Sequence, residues 1–425
     1  MRRPMLFIAN VLELNGGTTF ILRLAREFNE RKARVGVLVM SDVIDQGLES
    51  KIRQYADIYY LKDYSSRKLS SGFRSPLGCF LPFNNSELIK LIELYGSHAH
   101  VMGVFGLLFI KRLCALIDCR FKVSFGVYHQ NEIMFDGVPY YFANKAKKLF
   151  SLLPAESVVF FNEKNMESYQ AFYGKSFSGS TLVPIGIEIP KKKTESLGDP
   201  DSDRLISIGN LHVFKAYNRH IISLLPELKK IRPNLIYEIY GTGPYKLELL
   251  KLVSSLGLES SVIFKGAIAY EEIPNVLKGG LAFVGSGTAV VESSALGLPS
   301  IIGIESAPDP VTYGFLGDIE GFSYNELAAN QSTYLISDKL LSIIKSSEEW
   351  QLAASSCKSK AQEFSIEHTA DGFMKLEESV IDFELFRAED YSNFFAGLSF
   401  VKCAVKYKFG FDKEFIGRRD QGTLA

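Results

Sequence analysis

The stretch that decides the fold is LAFVGSGTAVVESSALGLPSIIGI, residues 281–304. Residues 281–284 form a short apolar run typical of a buried strand, and a glycine turn at 285–287 follows it. Residues 288–296 have helical spacing, and 299–304 is a second apolar run. A strand, a tight turn, a helix and another strand in this order predict a parallel βαβ unit.

The same alternation extends from this stretch toward the N-terminus. It predicts strands at 204–208, 235–240 and 261–264, separated by helices at 221–231, 247–256 and 271–277. An earlier series predicts strands at 5–9, 34–40, 99–101, 122–127 and 158–161. A glycine turn at 14–19 follows the first strand and precedes a helix marked by the spacing of Phe20, Leu24 and Phe28. The segment 63–86 is predicted to be a long loop, and the apolar segment 101–110 is interpreted as a buried helix. The two series predict an α/β protein with two open-sheet domains that meet near residues 184–203, where a polar linker contains Lys191, Lys192 and Lys193.

The composition restricts the class of protein. The chain has 425 residues, of which 47% are hydrophobic and 23% charged, with 48 basic and 48 acidic residues. This balance is typical of a soluble globular protein and argues against a nucleic-acid binder that relies on bulk charge. The five cysteines have no CxxC spacing, so no metal or redox site is predicted. No signal peptide and no membrane-spanning segment is recognised, so a cytoplasmic protein is expected.

Several short motifs occur in a fixed order. They are SIGN at 207–210, Lys215, YGTGP at 240–244, VIFKG at 262–266 and VESSALGLP at 291–299, preceded by Asn15-Gly16-Gly17 and by VPIGIE at 183–188. This series resembles the family-four, group 1 glycosyltransferases over about residues 5–380. The resemblance implies the GT-B architecture, two tandem Rossmann-like domains facing a central cleft. It implies an acceptor domain at 1–185, a nucleotide-sugar donor domain at 186–365, and at 366–425 a helix returning to the first domain with an aromatic and basic tail.

Two positions depart from the family pattern. Asn210 stands where the family usually has an arginine, which leaves Lys215 as the remaining cation of a phosphate-binding pair, with His212 as a candidate replacement. The family also usually has two glutamates separated by seven residues. Counting back from Glu292, the first glutamate falls at Val284, and the turn after it is short. That glutamate normally touches the donor sugar, so this departure bears on the identity of the sugar and on the activity.

The resemblance implies a set of residues that bind the donor nucleotide. They are Gly16, Gly17, Gly209, Asn210, Gly241, Gly243, Gly266, Ala267, Ser286, Gly287, Thr288 and Glu292. A carboxylate such as Glu292 can accept hydrogen bonds from both ribose hydroxyls, and a helix N-terminus beside it suits a diphosphate. A simpler interpretation of Glu292 is an exposed first-turn glutamate stabilised by the helix dipole. The glycines allow close approach of the backbone to phosphate, although simple turns have the same composition.

Two residues are predicted to take part in catalysis. Lys215 is a mobile cation that could stabilise the leaving nucleotide diphosphate, although most lysines simply lie at the surface. His129 follows the predicted strand at 122–127, and ligands bind at the carboxyl ends of strands in open α/β sheets. The resemblance places a histidine here facing the transferred sugar. The alternative is a hydrogen-bonded interior histidine without a functional role.

The predicted function is transfer of a sugar from a nucleotide diphosphate sugar to a glycan, with retention of configuration as the resemblance implies. The acceptor is expected to be a bacterial surface polysaccharide or a lipid-linked glycan, and no cofactor or metal is expected. Alternatives are a non-catalytic protein that binds nucleotide sugar, and a nucleotide-sugar 2-epimerase.

The tail after residue 383 mixes aromatic and basic residues, among them Phe394, Phe395, Phe400 and Lys402. This pattern suits peripheral contact with the inner face of a membrane. The alternative is a helix packed on the first domain with a frayed end.

Overall fold

The computed structural model of the chain describes residues 4–13, 16–65, 76–95, 98–114, 122–129, 131–190, 196–328, 331–376 and 384–411. Asn15, the three linker lysines, residues 66–75 of the predicted long loop and the basic end of the tail lie outside the described residues. The chain divides into two compact units, residues 1–186 together with 366–425, and residues 187–365. These are called unit 1 and unit 2 below.

Unit 1 is built on a parallel sheet because its strands are short, apolar and separated by helices. The strands are β1 (Met5–Ala9), β2 (Val35–Val39), β3 (Asp57–Tyr60), β4 (His98–Met102), β5 (Lys122–Val127), β6 (Val158–Phe160) and β7 (Thr181–Leu182), in the sheet order β3-β2-β1-β4-β5-β6-β7. Every residue of β1 and of β2 is buried. Burial on both faces is what a parallel sheet covered by helices requires.

The helices of this part of unit 1 are α1 (Gly16–Glu30), α2 (Gln46–Ile52), α3 (Asn85–Leu94), α4 (Val104–Cys114), α5 (Tyr141–Leu152) and α6 (Glu163–Tyr173). The helical spacing of Phe20, Leu24 and Phe28 is confirmed in α1, where all three side chains are buried. Local capping fixes the ends of other helices. The side chain of Asn162 accepts a hydrogen bond from the Asn165 amide at the start of α6, and Gly174 ends that helix in the left-handed region.

The sequence prediction for unit 1 needs two corrections. The segment 101–110 is not one helix, because Val101 lies in β4 and the helix begins only at Val104, after Gly103 with φ +87°. Such a backbone conformation favours glycine and turns the chain out of the strand. The strand β3 was not predicted, because its sequence Asp-Ile-Tyr-Tyr has only one fully buried residue and lies at the sheet edge.

Unit 2 contains a second parallel sheet and a small antiparallel pair. The strands are β8 (Arg204–Ile208), β9 (Ile236–Tyr240), β10 (Val262–Gly266), β11 (Ala282–Gly285), β12 (Ser300–Ile302), β13 (Val311–Thr312) and β14 (Tyr334–Leu335), and the helices are α7 (Tyr217–Ile231), α8 (Lys246–Ser255), α9 (Ile273–Leu277), α10 (Thr288–Ala295), α11 (Ile336–Lys345) and α12 (Ser347–Ala361). The parallel sheet has the order β10-β9-β8-β11-β12. The carboxyl ends of its five strands therefore share one edge.

The stretch at 281–304 forms the predicted strand, turn, helix and strand. Strand β11 pairs in parallel with β12, with Gly285 opposite Ile302. The predicted helix at 271–277 is shorter than expected. A 3₁₀ turn at Tyr270–Glu272 precedes α9, and Pro274 lies in the first turn of that helix, where its missing amide hydrogen costs no helical hydrogen bond.

The last segment returns to unit 1 as α13 (Ile366–Lys375), α14 (Glu384–Ala388) and α15 (Asn393–Lys408). Helix α15 packs on the core of unit 1 through Ala396 and Cys403, which are buried. The ring of Phe400 lies 4.9 Å from that of Phe105 in an edge-on contact. Among the helices of the described residues, none is long and apolar enough to cross a membrane.

Candidate functional site

The predicted donor-binding residues of unit 2 follow the carboxyl ends of its parallel strands. Gly209 and Asn210 follow β8, Gly241 and Gly243 follow β9, Gly266 and Ala267 lie at the end of β10, and Ser286, Gly287 and Thr288 follow β11. Residues separated by up to 79 positions in the sequence (288 − 209) therefore line one edge of one sheet. Open α/β sheets bind their ligands at this edge, because helix N-termini and loop amides converge there.

The turns after β8 and β9 are packed backbone against backbone. The Gly209 amide donates to the Tyr240 carbonyl at 2.9 Å, and the Leu211 amide donates to the Thr242 carbonyl at 2.8 Å. A Cβ atom on Gly241 would lie 1.9 Å from the carbonyl oxygen of Gly209, and one on Gly243 would lie 2.2 Å from that of Leu211. Both positions therefore require glycine, and this close packing holds the chain before Lys215 in place.

The end of β10 continues the same edge. The Gly241 amide donates to the Gly266 carbonyl at 2.7 Å. Gly266 has φ +80° and no other atom would crowd a Cβ built on it. Ala267 beside it is exposed, so the backbone here is accessible to a ligand at a position where the resemblance implies contact with the donor nucleotide.

Lys215 is half-buried next to Gly209. A Cβ atom on Gly209 would lie 2.9 Å from Nζ of Lys215 and 3.8 Å from the hydroxyl oxygen of Tyr217. Burial acts to lower the pKa of Lys215, but the adjacent Tyr217 hydroxyl and the Glu305 carboxylate outweigh it, so that the pKa is raised overall. The side chain is therefore a cation at neutral pH. It is not the plain surface lysine of the simpler interpretation.

The two residues considered around the missing arginine are placed differently. Asn210 is exposed on the turn after β8. The imidazole of His212 stacks on the Phe214 ring, with centroids 5.4 Å apart and planes inclined by 12°. One face of its ring is therefore covered by Phe214.

The glycine turn before α10 is tied to a neighbouring loop. The Ser286 hydroxyl donates to Oε1 of Glu305 at 2.7 Å, and the Gly287 amide donates to Oδ1 of Asn325 at 2.8 Å. The Gly287 amide is thus already engaged by the protein. Helix α10 begins at Thr288, and no side chain of the described residues caps it. Its first amides point to the same edge as the glycine turns.

Glu292 lies in the second turn of α10 and is 8% exposed. The interpretation as an exposed first-turn glutamate is therefore wrong, because Glu292 lies one turn further into the helix and its side chain is buried. The Tyr270 hydroxyl donates to its Oε1 at 3.1 Å. A buried carboxylate held by a tyrosine is preorganised to accept hydrogen bonds from vicinal hydroxyl groups.

The remaining predicted residues belong to unit 1. Gly16 and Gly17 open α1, after the carboxyl end of β1, and His129 follows β5. The His129 side chain is exposed to solvent, which favours the predicted role over the alternative of a hydrogen-bonded interior histidine. The protein around it still lowers its pKa by desolvation, and a neutral imidazole is therefore favoured.

Sequence reasoning missed several acidic groups near these positions. In unit 1, Glu132 is buried and accepts a hydrogen bond at Oε2 from the Tyr128 amide, at 3.1 Å. Burial raises the pKa of this carboxyl group to about 7. In unit 2, Glu305 and Glu326 lie at the donor edge. Glu305 follows β12 by three residues, and that position at a strand's carboxyl end was the only signal available from the sequence.

Among the described residues, no group of three or more His, Cys, Asp or Glu side chains is arranged to hold a metal ion.

Comparison with known proteins identifies the domain that carries this site. Residues 188–311 match the family model of glycosyl transferases group 1. A GDP-mannose-dependent alpha-(1-6)-phosphatidylinositol monomannoside mannosyltransferase of Mycolicibacterium smegmatis is 26% identical over 188 residues, which are 39% of this chain and 49% of the relative. A GDP-mannose-dependent monoacylated alpha-(1-6)-phosphatidylinositol monomannoside mannosyltransferase of Corynebacterium glutamicum is 25% identical over 170 residues, 34% of this chain and 44% of the relative. The chain thus spans about half the length of the curated relatives it matches.

Solved structures extend the similarity of fold over most of the chain. The lipopolysaccharide outer core galactosyltransferase WaaB has a TM-score of 0.56 at 15% identity, covering 88% of this chain and 98% of its own. Sucrose-phosphate synthase from Thermosynechococcus elongatus has a TM-score of 0.60 at 14% identity, covering 91% of this chain and 100% of its own. The predicted fold class and the predicted resemblance are therefore confirmed: residues 188–311 match the family model of glycosyl transferases group 1, and the chain has the two Rossmann-like units of the GT-B fold.

Proposed function

We propose that this protein transfers a sugar from a nucleotide diphosphate sugar to a glycan acceptor, with retention of anomeric configuration. The observation that supports it most directly is the shared sheet edge of unit 2. There the family-matched segment places a half-buried lysine, two glycine turns that cannot carry a side chain, and the buried carboxylate of Glu292. This is a combination of charge and close backbone approach suited to a nucleotide diphosphate.

Each part of the site has a proposed role. The carboxylate of Glu292 accepts hydrogen bonds from the ribose hydroxyls, and the amides at the start of α10 face the diphosphate. The Lys215 ammonium neutralises charge that develops on the leaving nucleoside diphosphate as the bond between its oxygen and the anomeric carbon of the sugar breaks and the acceptor oxygen bonds to that carbon. Gly266 and Ala267 receive the base along their backbone. The reaction needs no cofactor besides the donor itself.

The residues of unit 1 complete the proposal. His129, exposed and biased toward the neutral imidazole, contacts the transferred sugar. Gly16 and Gly17 present backbone amides to the diphosphate. These roles, like retention, rest on the resemblance to the family, and substitution of His129 by alanine tests the first of them through the rate of transfer.

The acceptor is proposed to be a bacterial surface polysaccharide or a lipid-linked glycan, reached at the inner face of a membrane. Helix α15 supports this proposal. One face packs on unit 1, while five apolar side chains at helical spacing are exposed: Phe394 by 73%, Leu398 by 58%, Val401 by 42%, Val405 by 50% and Phe409 by 67%. Such a continuous apolar stripe marks an interaction surface. Lys402, Lys406 and Lys408 on the same helix favour an anionic one.

The function is tested by incubation of the purified chain with GDP-mannose, UDP-glucose and UDP-N-acetylglucosamine, with and without membrane glycolipid extract as acceptor. GDP-mannose is tested first, because the curated relatives named above depend on it. Acceptor-dependent release of the nucleotide and incorporation of labelled sugar are expected. Conversion of the donor into an isomeric nucleotide sugar would instead identify an epimerase. Binding of donors without any turnover would identify a non-catalytic protein.

The membrane contact is tested separately by sedimentation with vesicles. The double variant Phe394→Ser and Leu398→Ser should bind vesicles of phosphatidylglycerol less than the unmodified chain does, because it loses exposed apolar area that would enter the interface. Leu247→Ser is the matched control, since Leu247 is 70% exposed in unit 2. Equal sedimentation of all three proteins would contradict the membrane role.

A further inference from the structure

The carboxylate of Glu305 lies within the donor edge although it belongs to none of the family motifs. Its Oε1 accepts the hydroxyl hydrogen bond of Ser286 at 2.7 Å, which places it against the glycine turn before α10. It is also close enough to Lys215 to contribute to the raised pKa of that lysine. Glu305 therefore contacts the turn and lies within electrostatic range of the cation to which the diphosphate is assigned.

The backbone fixes Glu305 in this position. Its amide donates to the Asn325 carbonyl at 2.7 Å, and the next amide, of Ser306, donates to the Phe214 carbonyl at 2.6 Å. Ser306 adopts φ +57°, a conformation that is costly for a residue with a side chain. The loop after β12 is therefore held both to the segment at 325–326 and to the chain that carries Lys215.

A second carboxyl group stands beside the first. Glu326 forms an isolated parallel β-bridge with Glu305, so the two backbones run side by side. Burial and the neighbouring Glu305 charge raise the pKa of Glu326 to about 7. At neutral pH this pair therefore combines a carboxylate, which accepts hydrogen bonds, with a carboxyl group that is protonated for part of the time and can donate one.

The glycine turn itself provides no carboxylate. Val284, at the position where the family's first glutamate falls, is fully buried within β11. The turn that follows consists of Gly285, Ser286 and Gly287. Glu305 reaches the same turn from the neighbouring strand, because β11 and β12 are paired with Gly285 opposite Ile302.

The polar groups of this corner suit a polar ligand. Among the described residues, the carboxylate of Glu305 accepts one side-chain hydrogen bond, from Ser286 to its Oε1, which leaves Oε2 available to another group. The buried Tyr217 hydroxyl lies beside the Lys215 ammonium and helps to raise the pKa of that lysine. A bound polar molecule could therefore meet a carboxylate oxygen, a hydroxyl group and a cation at this corner.

We propose that Glu305, with Glu326 beside it, binds hydroxyl groups of the donor's sugar and so selects the sugar that is transferred. This assignment rests on the proposed function, since it requires that a nucleotide sugar occupies unit 2. Sugars present vicinal hydroxyls that both donate and accept hydrogen bonds, and a carboxylate paired with a carboxyl group matches that pattern. The nucleotide part of the donor is bound by other residues.

The test separates recognition of the sugar from recognition of the nucleotide. Isothermal titration measures the affinities of GDP, GDP-mannose, UDP, UDP-glucose and UDP-N-acetylglucosamine for the unmodified chain, for Glu305→Gln and for the control Glu320→Gln. Glu320 is exposed in the same unit. Glu305→Gln keeps the volume of the side chain and removes its charge. Melting temperatures of all three proteins establish that they are folded, and Glu305→Asp serves as a second variant that keeps the carboxylate.

We expect Glu305→Gln to lose at least about tenfold in affinity for the sugar nucleotide that binds, the usual effect of losing a hydrogen bond to a charged group. Its affinity for the bare nucleotide should stay that of the unmodified chain, and Glu320→Gln should change neither. Partial recovery in Glu305→Asp would support the role of the charge.

Three results would overturn the assignment. If Glu305→Gln binds the sugar nucleotide as tightly as the unmodified chain does, the carboxylate does not contact the sugar. If Glu305→Gln loses affinity for the nucleotide and for the sugar nucleotide equally, Glu305 only supports the loop. The same conclusion holds if Glu305→Gln fails to fold and Glu305→Asp loses affinity for the nucleotide and the sugar nucleotide equally. If the unmodified chain binds none of the five compounds, the proposed function fails, and this assignment fails with it.

Discussion

Replacement of Gly241 by alanine tests how the donor edge of unit 2 is built. Gly241 has φ +138°, and a Cβ atom there would lie 1.9 Å from the carbonyl oxygen of Gly209 and 2.8 Å from its carbonyl carbon. Non-bonded carbon and oxygen atoms approach to roughly 3.3 Å. The Gly209 peptide must therefore move by more than about 1 Å, since no side-chain rotation can relieve a clash with backbone.

Gly257 provides the matched control for this change. It also lies in unit 2 with a positive φ, of +64°, but a Cβ atom there would meet nothing within 4 Å. Gly257→Ala should cost only the left-handed backbone conformation, about 1–2 kcal/mol of unfolding free energy. Gly241→Ala should cost at least that amount and, in addition, about 1–3 kcal/mol for the overpacked turn. The additional cost corresponds to a further fall in melting temperature of about 2–12 °C for a unit of this size.

Scanning calorimetry of the two variants measures this difference, and titration with the preferred nucleotide measures its effect on binding. Displacement of the Gly209 peptide also displaces the neighbouring Nζ of Lys215, so Gly241→Ala should bind nucleotide more weakly while Gly257→Ala binds it normally. Equal melting temperatures and equal affinities for the two variants would refute the reasoning. The close approach of Gly241 to Gly209 would then contribute neither to the free energy of unfolding nor to nucleotide binding.

Three further predictions concern single side chains of unit 2. Glu292→Ala should weaken nucleotide binding by about 1.5–3 kcal/mol through loss of a charge-assisted hydrogen bond, and calorimetric affinity equal to that of the unmodified chain would contradict it. Lys215→Ala should lower kcat more than it raises KM, because the ammonium acts on charge that develops in the transition state; a change in KM alone would show that it only binds. Burial and the Glu305 charge raise the pKa of Glu326 to about 7, so the native state prefers the neutral form and loses stability as pH rises from the usual carboxyl range through 7. Glu326→Gln has no such charge, and its melting temperature relative to the unmodified chain should therefore increase between about pH 5 and pH 8, whereas a constant difference would contradict the shift.

The amino-acid sequence alone was sufficient for the local order of strands, turns and helices around the donor edge. The apolar runs at 204–208 and 281–284 and the glycine turns after them predicted where strands end, because buried parallel strands need continuous apolar residues and sharp turns need glycine. The ordered motifs predicted the family. By contrast, β3 was not predicted, because an edge strand buries little of its surface and its sequence therefore has no continuous apolar run.

The faces of α15 show a further limit of sequence patterns. Its aromatic and apolar residues look alike in sequence, but Phe400 packs on Phe105 in unit 1 while Phe394 and Leu398 remain exposed. Which apolar residues are buried depends on how the helix docks, and this is a property of the surface it meets.

The sequence by itself determined the α/β class, the group 1 motif series and the positions of the glycine turns, since these follow from local conformation and from hydrophobic spacing. Only the tertiary structure decided which charged groups share a corner of unit 2. Glu305 is 19 residues from Ser286 in the chain (305 − 286), and the two are joined by a hydrogen bond of 2.7 Å because β11 and β12 pair in one register. Contacts of this kind depend on strand pairing across the sheet, and the identities of neighbouring residues along the chain carry no information about them.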